Sequence, residues 1–255
     1  MDAGVRSPLL DFFRRGEVAS DVRLLAAQGA LAPRAHEQLA LLLLLADDSD
    51  PVVARTAAAT IDLLPPASVA RFIARTDVPA PMREFFAARG IQPESGAAAA
   101  DDQPLVDTGD ELLAAATEEE RTDPRVLSLL PVIDRMKLAM KGTRDQRAQL
   151  IRDSNKLVAI SVLSSPKLND AEIESFARMA NLTEDVLRVI ASNRAWVKNY
   201  NVVAALTKNP KTPPALAMNF LQRLNERDLK KLAFDRNVSE PVRLAARKFA
   251  TKGQR

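Results

Sequence analysis

The placement of proline constrains this chain more than any other feature. In the first ninety residues Pro8, Pro33, Pro51, Pro66 and Pro79 stand where apolar stretches begin, and none interrupts one. Proline costs about 3 kcal/mol inside a helix, but its missing N–H is no loss at the first helical position. Gly16, Gly29 and Gly90 close the same stretches. The pattern predicts one helix opening at Ser7-Pro8 and a second ending at Gly29. A third runs from Pro33 to near Asp47. Asp50-Pro51 then opens Val52–Leu64, and Ala67–Arg75 and Ala80–Arg89 follow. With 8 glycines and 11 aromatics in 255 residues, little in the chain favours strands or the turns that join them. The fold class read from this is all-α. The longest apolar run, Leu39–Ala46, has eight residues. A membrane span needs about 20, so the run reads as a buried helix and no membrane insertion is expected.

Several chemistries are excluded by composition. The chain has no Cys and one His. Thiolate metal sites, Cys nucleophiles and two-His zinc sites are therefore impossible within one chain. No two glycines stand closer than Gly90 and Gly96, so neither nucleotide-binding glycine fingerprint can form. His36 has no recognisable catalytic partners in the sequence. The Asp47-Asp48-Ser49-Asp50 cluster lacks the spaced ligands of a calcium loop, and reads as a turn with an Asp cap. No enzyme activity and no cofactor are expected. The N-terminus shows no signal-type apolar core, and with no Cys a cytoplasmic, bacterial-type protein is the expectation.

The net charge of +3 conceals a sharp asymmetry. Residues 1–91 carry 10 basic and 11 acidic groups, net −1. Residues 92–123 carry one basic and ten acidic groups, net −9. Residues 124–255 carry 25 basic and 12 acidic groups, net +13. The first Asn is Asn155, and ten follow from there on, counting it. Two helical blocks, 1–91 and 124–255, joined by an acidic connector are the economical reading. Low hydrophobicity and one-sign charge predict a flexible connector. Within it, Thr108–Glu111 reads as a capping box for a short helix over about Asp110–Glu120.

Repeats run through both blocks. Leu45–Val53 recurs as Ala74–Arg83 and again as Phe234–Arg243: helix end, polar turn, then Pro and an apolar residue. This shape resembles the inter-helix turn of HEAT repeats, most closely over Asp48–Ala59. In the second block, Ser165-Pro166-Lys167 and Asn209-Pro210-Lys211 lie 44 residues apart, each between apolar helical stretches. N-caps are legible at Thr143, Asn169, Thr183, Thr212, Asn225 and Ser239, which divides the block into units of three short helices. Asn209-Pro210-Lys211-Thr212-Pro213-Pro214 resembles the turn of leucine-rich-repeat-variant proteins. Both resemblances imply an α-solenoid of HEAT/armadillo-like helical repeats in two blocks, with stacked units and an extended binding surface. Some variant-family members carry an iron–sulfur cluster on cysteines. This chain has no Cys, so that property does not transfer.

The most specific signal is periodic charge. Arg152, Arg194 and Arg236 recur every 42 residues, each in a turn after the third helix of a unit. Lys156 and Lys198 repeat at the same interval. Stacked repeats would align these five residues as a basic edge. Arg in a repeat turn also serves to cap helix C-terminal carbonyls. Trp196 and Tyr200, four apart on a single expected helix among cations, read either as core or as base-stacking residues. The function expected is a non-catalytic scaffold or adaptor binding an acidic protein surface or peptide through Arg152, Lys156, Arg194, Lys198 and Arg236. The alternative is nucleic-acid binding by the same surface.

Overall fold

A computed structural model describes residues 4–5, 7–32, 34–94, 102–106 and 124–252. Among them every regular element is helical, sixteen α-helices with no strand. The chain is all-α, as the proline pattern predicts. The described residues fall into two compact units, one drawn from Met1–Gln146 and Ser161–Pro166, the other from Arg147–Ile160 and Lys167–Arg255. Composition sets the boundary at the acidic connector, whereas packing sets it near Gln146. The difference has a physical reason. Charge reports exposed residues, but packing follows buried ones, and Met136, Ala139 and Met140 lie buried on the far side of the connector.

In the first unit, α1 (Pro8–Arg14), α2 (Ser20–Ala27), α3 (Ala35–Leu45), α4 (Pro51–Asp62), α5 (Pro66–Ile73) and α6 (Ala80–Ala87) start and stop close to the sequence signals. Pro33 lies outside the described residues. The Leu run forms α3, in which Leu39 and Leu41–Leu43 are all buried. It packs against α1, α2 and α4. Beyond the connector lie α7 (Pro124–Leu129), α8 (Val132–Lys141) and α9 (Arg144–Leu150). The Thr143 capping box forms, with Thr143 N–H donating to Gln146 Oε1 at 2.8 Å. The expected Thr108–Glu111 box and its helix lie outside the described residues.

Then come α10 (Lys156–Leu163), α11 (Asp170–Arg178), α12 (Glu184–Ser192), α13 (Tyr200–Lys208), α14 (Pro214–Phe220), α15 (Glu226–Phe234) and α16 (Glu240–Lys252). Short 3-10 helices at Trp196–Lys198 and Leu221–Arg223 precede α13 and follow α14. In the second unit α11 packs on α12 and α13, α13 on α14 and α15, and α16 on α14 and α15. Leu163, Ile190, Leu206 and Phe220 are buried.

Asn169 and Asn225 cap as expected, accepting from the N–H groups of Glu172 at 2.9 Å and Asp228 at 2.7 Å. Thr212 does not cap. The α14 cap position is Pro213, and Thr212 Oγ1 is buried with no hydrogen-bond partner among the described residues. Asn169→Ala removes the side-chain acceptor at the start of α11 and lowers stability by about 0.5–2 kcal/mol in urea melts. A change near zero would show that the cap contributes nothing.

Candidate functional site

Turns in this protein are built by side-chain carbonyls and carboxylates that accept the backbone N–H two residues on, as Asx turns do. Asp48 Oδ1 accepts from Asp50 N–H at 2.8 Å, and Asp50 Oδ1 from Val52 N–H at 2.9 Å. Asp153 and Asn155 repeat the pair, accepting from the N–H groups of Asn155 at 2.7 Å and Leu157 at 2.9 Å. Asp48 also pairs with Arg23, and Asp50 accepts the Ser20 hydroxyl. The Asp47–Asp50 cluster is thus a turn in which Asp48 and Asp50 are engaged. Among the described residues no group of three His, Asp or Glu is placed to hold a metal ion.

The same turns fix where the five candidate basic residues stand. Asn193 Oδ1 accepts from Ala195 N–H at 2.9 Å, and Asp235 Oδ1 from Asn237 N–H at 3.0 Å. Arg194 and Arg236 therefore directly follow the turn acceptor. Arg152 precedes its own acceptor, Asp153. The 42-residue spacing conceals this offset, because the acceptors Asp153 and Asn193 lie 40 residues apart, whereas α10 and α13 start 44 apart. The caps agree: Asn155 caps before Lys156, while Asn199 caps before Tyr200. Lys198 is thus not the counterpart of Lys156. Lys156 Nζ is instead 3.0 Å from Asp185 of α12, a tie between helices. Arg152, Arg194, Lys198 and Arg236 are exposed, with no side-chain partner among the described residues. None of the three arginines caps a carbonyl.

Trp196 and Tyr200 do not share a helix. Asn193 Oδ1 accepts from the N–H groups of Ala195 and Trp196 at the entry to the short Trp196–Lys198 helix, and extended Asn199 (ψ 121°) starts α13 afresh. Tyr200 donates to Asp228 Oδ2 at 2.5 Å, and Lys208 Nζ lies 3.1 Å from Asp228 Oδ1. Burial, then this hydrogen bond, pushes the Tyr200 hydroxyl up. The Tyr200 hydroxyl and then Lys208 hold the Asp228 carboxyl below its ordinary value. These residues line a cleft of about 410 Å³ with Arg178, Asn201 and Pro210. Arg178 pairs with Glu174 and Lys208 with Asp228, so both of its cations are already engaged.

Three features escaped the sequence reading. Arg147 and Glu172 form a buried ion pair with N···O distances of 2.9–3.0 Å. A signal existed, because Glu172 stands 44 residues before Leu216, a carboxylate where the next unit holds an apolar residue. The Asn-Pro turn has a second function, since Asn209 Nδ2 donates to the carbonyls of Ala177 at 2.8 Å and Met179 at 2.9 Å. Ser165, at the matching Pro turn, donates to the Met140 carbonyl at 2.7 Å.

The third feature concerns His36. Its Nδ1 is 2.8 Å from Asp102 Oδ1, its Nε2 is 3.7 Å from Asp77, and its ring meets Phe72 edge-on. Both ring nitrogens face carboxylates, and Asp102 belongs to the connector expected to be flexible. Asp102–Val106 is held by His36 and Gln38, and Glu94 N–H donates to the Ala70 carbonyl at 3.2 Å. Arg75 donates twice to Asp77 and holds its carboxyl at about 2. A carboxyl depressed in the folded chain adds stability above its ordinary value, and this is lost as pH falls through about 2. Arg75→Ala moves the Asp77 titration, followed by NMR, back toward the ordinary range. An unmoved titration would assign the depression to another group.

No helix among the described residues is long and apolar enough to cross a membrane. No known family model, curated protein or solved structure matches the chain.

Proposed function

We propose that this protein is a non-catalytic helical-repeat adaptor. Its basic second block, built as a HEAT-like or leucine-rich-repeat-variant-like solenoid, binds an acidic protein surface or peptide. The observation that carries this reading is the exposure of Arg152, Arg194 and Arg236 in successive turns with no partner among the described residues. They lie in a stretch of net charge +13. Unpaired cations on a surface raise the local concentration of anionic partners. The repeat architecture is supported by helix starts at Lys156, Asp170 and Glu184, followed by Tyr200, Pro214 and Glu226. It is also supported by the recurring contact of α11 with α13 and of α13 with α15.

The test uses the full chain, a fluorescent poly-glutamate peptide and a random DNA duplex, titrated at several salt concentrations. The peptide binds and the duplex does not. Exposed charge pairs contribute ~0.2–1 kcal/mol each, so Arg→Gln at 152, 194 and 236 together weakens peptide binding about 3- to 100-fold. Unchanged binding by the triple variant would return these arginines to ordinary solvated residues. Tight duplex binding with a steep salt slope would select nucleic acid instead.

A further inference from the structure

The start of α3 has no side-chain cap of its own, and Asp102, 66 residues later in the chain, supplies one. The Asp102 carbonyl accepts from Ala35 N–H at 3.2 Å, and its Oδ1 accepts from His36 N–H at 3.2 Å. One turn further along α3, Gln38 is 1% exposed and uses both ends of its amide. Its Oε1 accepts from the N–H groups of Leu105 at 2.7 Å and Val106 at 3.0 Å. Its Nε2 donates to the carbonyls of Val106 at 3.0 Å and Gly29 at 2.8 Å. A buried amide that satisfies its partners on both sides fixes the register of the segment it holds. Gly29 closes the far end, with φ +83°. A Cβ added there would lie 2.9 Å from Val106 Cβ, so only glycine admits Val106 this closely.

The contacts that hold the segment include one carboxylate, the backbone of Asp102, Leu105 and Val106, and the Val106 side chain against Gly29. Leu105 and Val106 are only half-buried, so they do not complete the core. Main-chain hydrogen bonds for affinity and a few side-chain positions for selection are how peptides are commonly bound. We infer that Gly29, His36 and Gln38 form a docking site for a peptide of the pattern Asp-Gln-x-apolar-Val that bends at its last two residues. Asp102–Val106 occupies it as an internal ligand, and a partner carrying this pattern binds by displacing it. The site is separate from the basic surface proposed above, and neither reading depends on the other.

Displacement has a definite cost. Seven residues separate Glu94 from Asp102. A tether this short gives an effective concentration in the millimolar range, so a peptide of ~10 µM intrinsic affinity is suppressed roughly 100-fold. The probe is a fluorescein-labelled peptide copying residues 100–108, followed by anisotropy. The Asp102→Ala/Val106→Ser chain, whose internal segment is weakened, binds it about 10- to 100-fold more tightly than the unaltered chain does. Gln38→Leu in the same background abolishes binding. So does a peptide with Ala at the Asp102 position and Ser at the Leu105 and Val106 positions. Equal, weak binding by both chains would overturn the inference, as would full binding after Gln38→Leu. If circular dichroism shows that the weakened chain has lost helix, the unaltered chain is tested by amide exchange. Millimolar unlabelled peptide then speeds exchange at Leu105 and Val106, and unchanged exchange would equally overturn the inference.

Discussion

Glu172→Gln lowers the stability of the second unit by about 3–5 kcal/mol, the usual cost of removing one partner from a buried ion pair. Arg147 and Glu172 are 4% and 2% exposed, so neither is compensated by water. Glutamine keeps the shape of the side chain and one acceptor oxygen, but removes the carboxylate charge that faces the buried guanidinium. The loss is therefore electrostatic and steric effects are minor. Urea melts followed at Trp196 report it, because the chain's one Trp lies in this unit. The double change Arg147→Met/Glu172→Leu recovers most of the loss, since apolar replacements of a buried pair are often neutral or better. A loss below about 1 kcal/mol for the single change would mean that the pair is solvated in solution.

Leu206→Ala costs about 2–5 kcal/mol in the same melts. Leu206 is 0% exposed on α13, and α13 packs against α11, α12, α14 and α15. With helices on several sides, the surroundings cannot collapse into the space left by the missing methyl groups. The cavity term is then added to the lost transfer energy. Arg194→Gln is the matched control. Its side chain is exposed and touches nothing described, so its change stays within about 0.5 kcal/mol. If Arg194→Gln costs as much as Leu206→Ala, the arginine is part of the structure and the binding surface proposed for it is untenable.

What the sequence makes legible is local. Proline at the first helical position, glycine at the close and Asn at the cap act within four residues, and they place most helix ends in the structure. The buried α3 follows from its Leu run for the same reason. Pairings across longer separations are not legible. Arg147 meets Glu172 on a different helix, 25 residues away, and nothing in either neighbourhood names the other. Composition argues against order in 92–123 because it averages over a window rich in Asp and Glu. The docking of Asp102–Val106 depends instead on one amide, one imidazole and one glycine elsewhere. Trp196 and Tyr200 have the spacing of a helix face, but Asn199 restarts the helix between them. Of the candidate site, the exposure of the arginines is legible and their register is not. The charges recur every 42 residues, but two extra residues before α13 put the starts of α10 and α13 44 apart.

The wiring of the second unit also bears on how it folds. Its side-chain links reach only short distances along the chain: 25 residues for Arg147 to Glu172, 28 for Tyr200 to Asp228 and 32 for Asn209 to Ala177. Among α11–α16 the main packing partners are one or two helices away. Helix arrays wired to near neighbours need no single nucleus and can unravel from an end. Here α16 can detach by losing its main contacts, with α14, α15 and the Leu221–Arg223 turn, while the packing among α11–α13 is kept. Hydrogen exchange should therefore be graded along the chain, fastest in α16 and slowest around α13, so that the unit opens in steps.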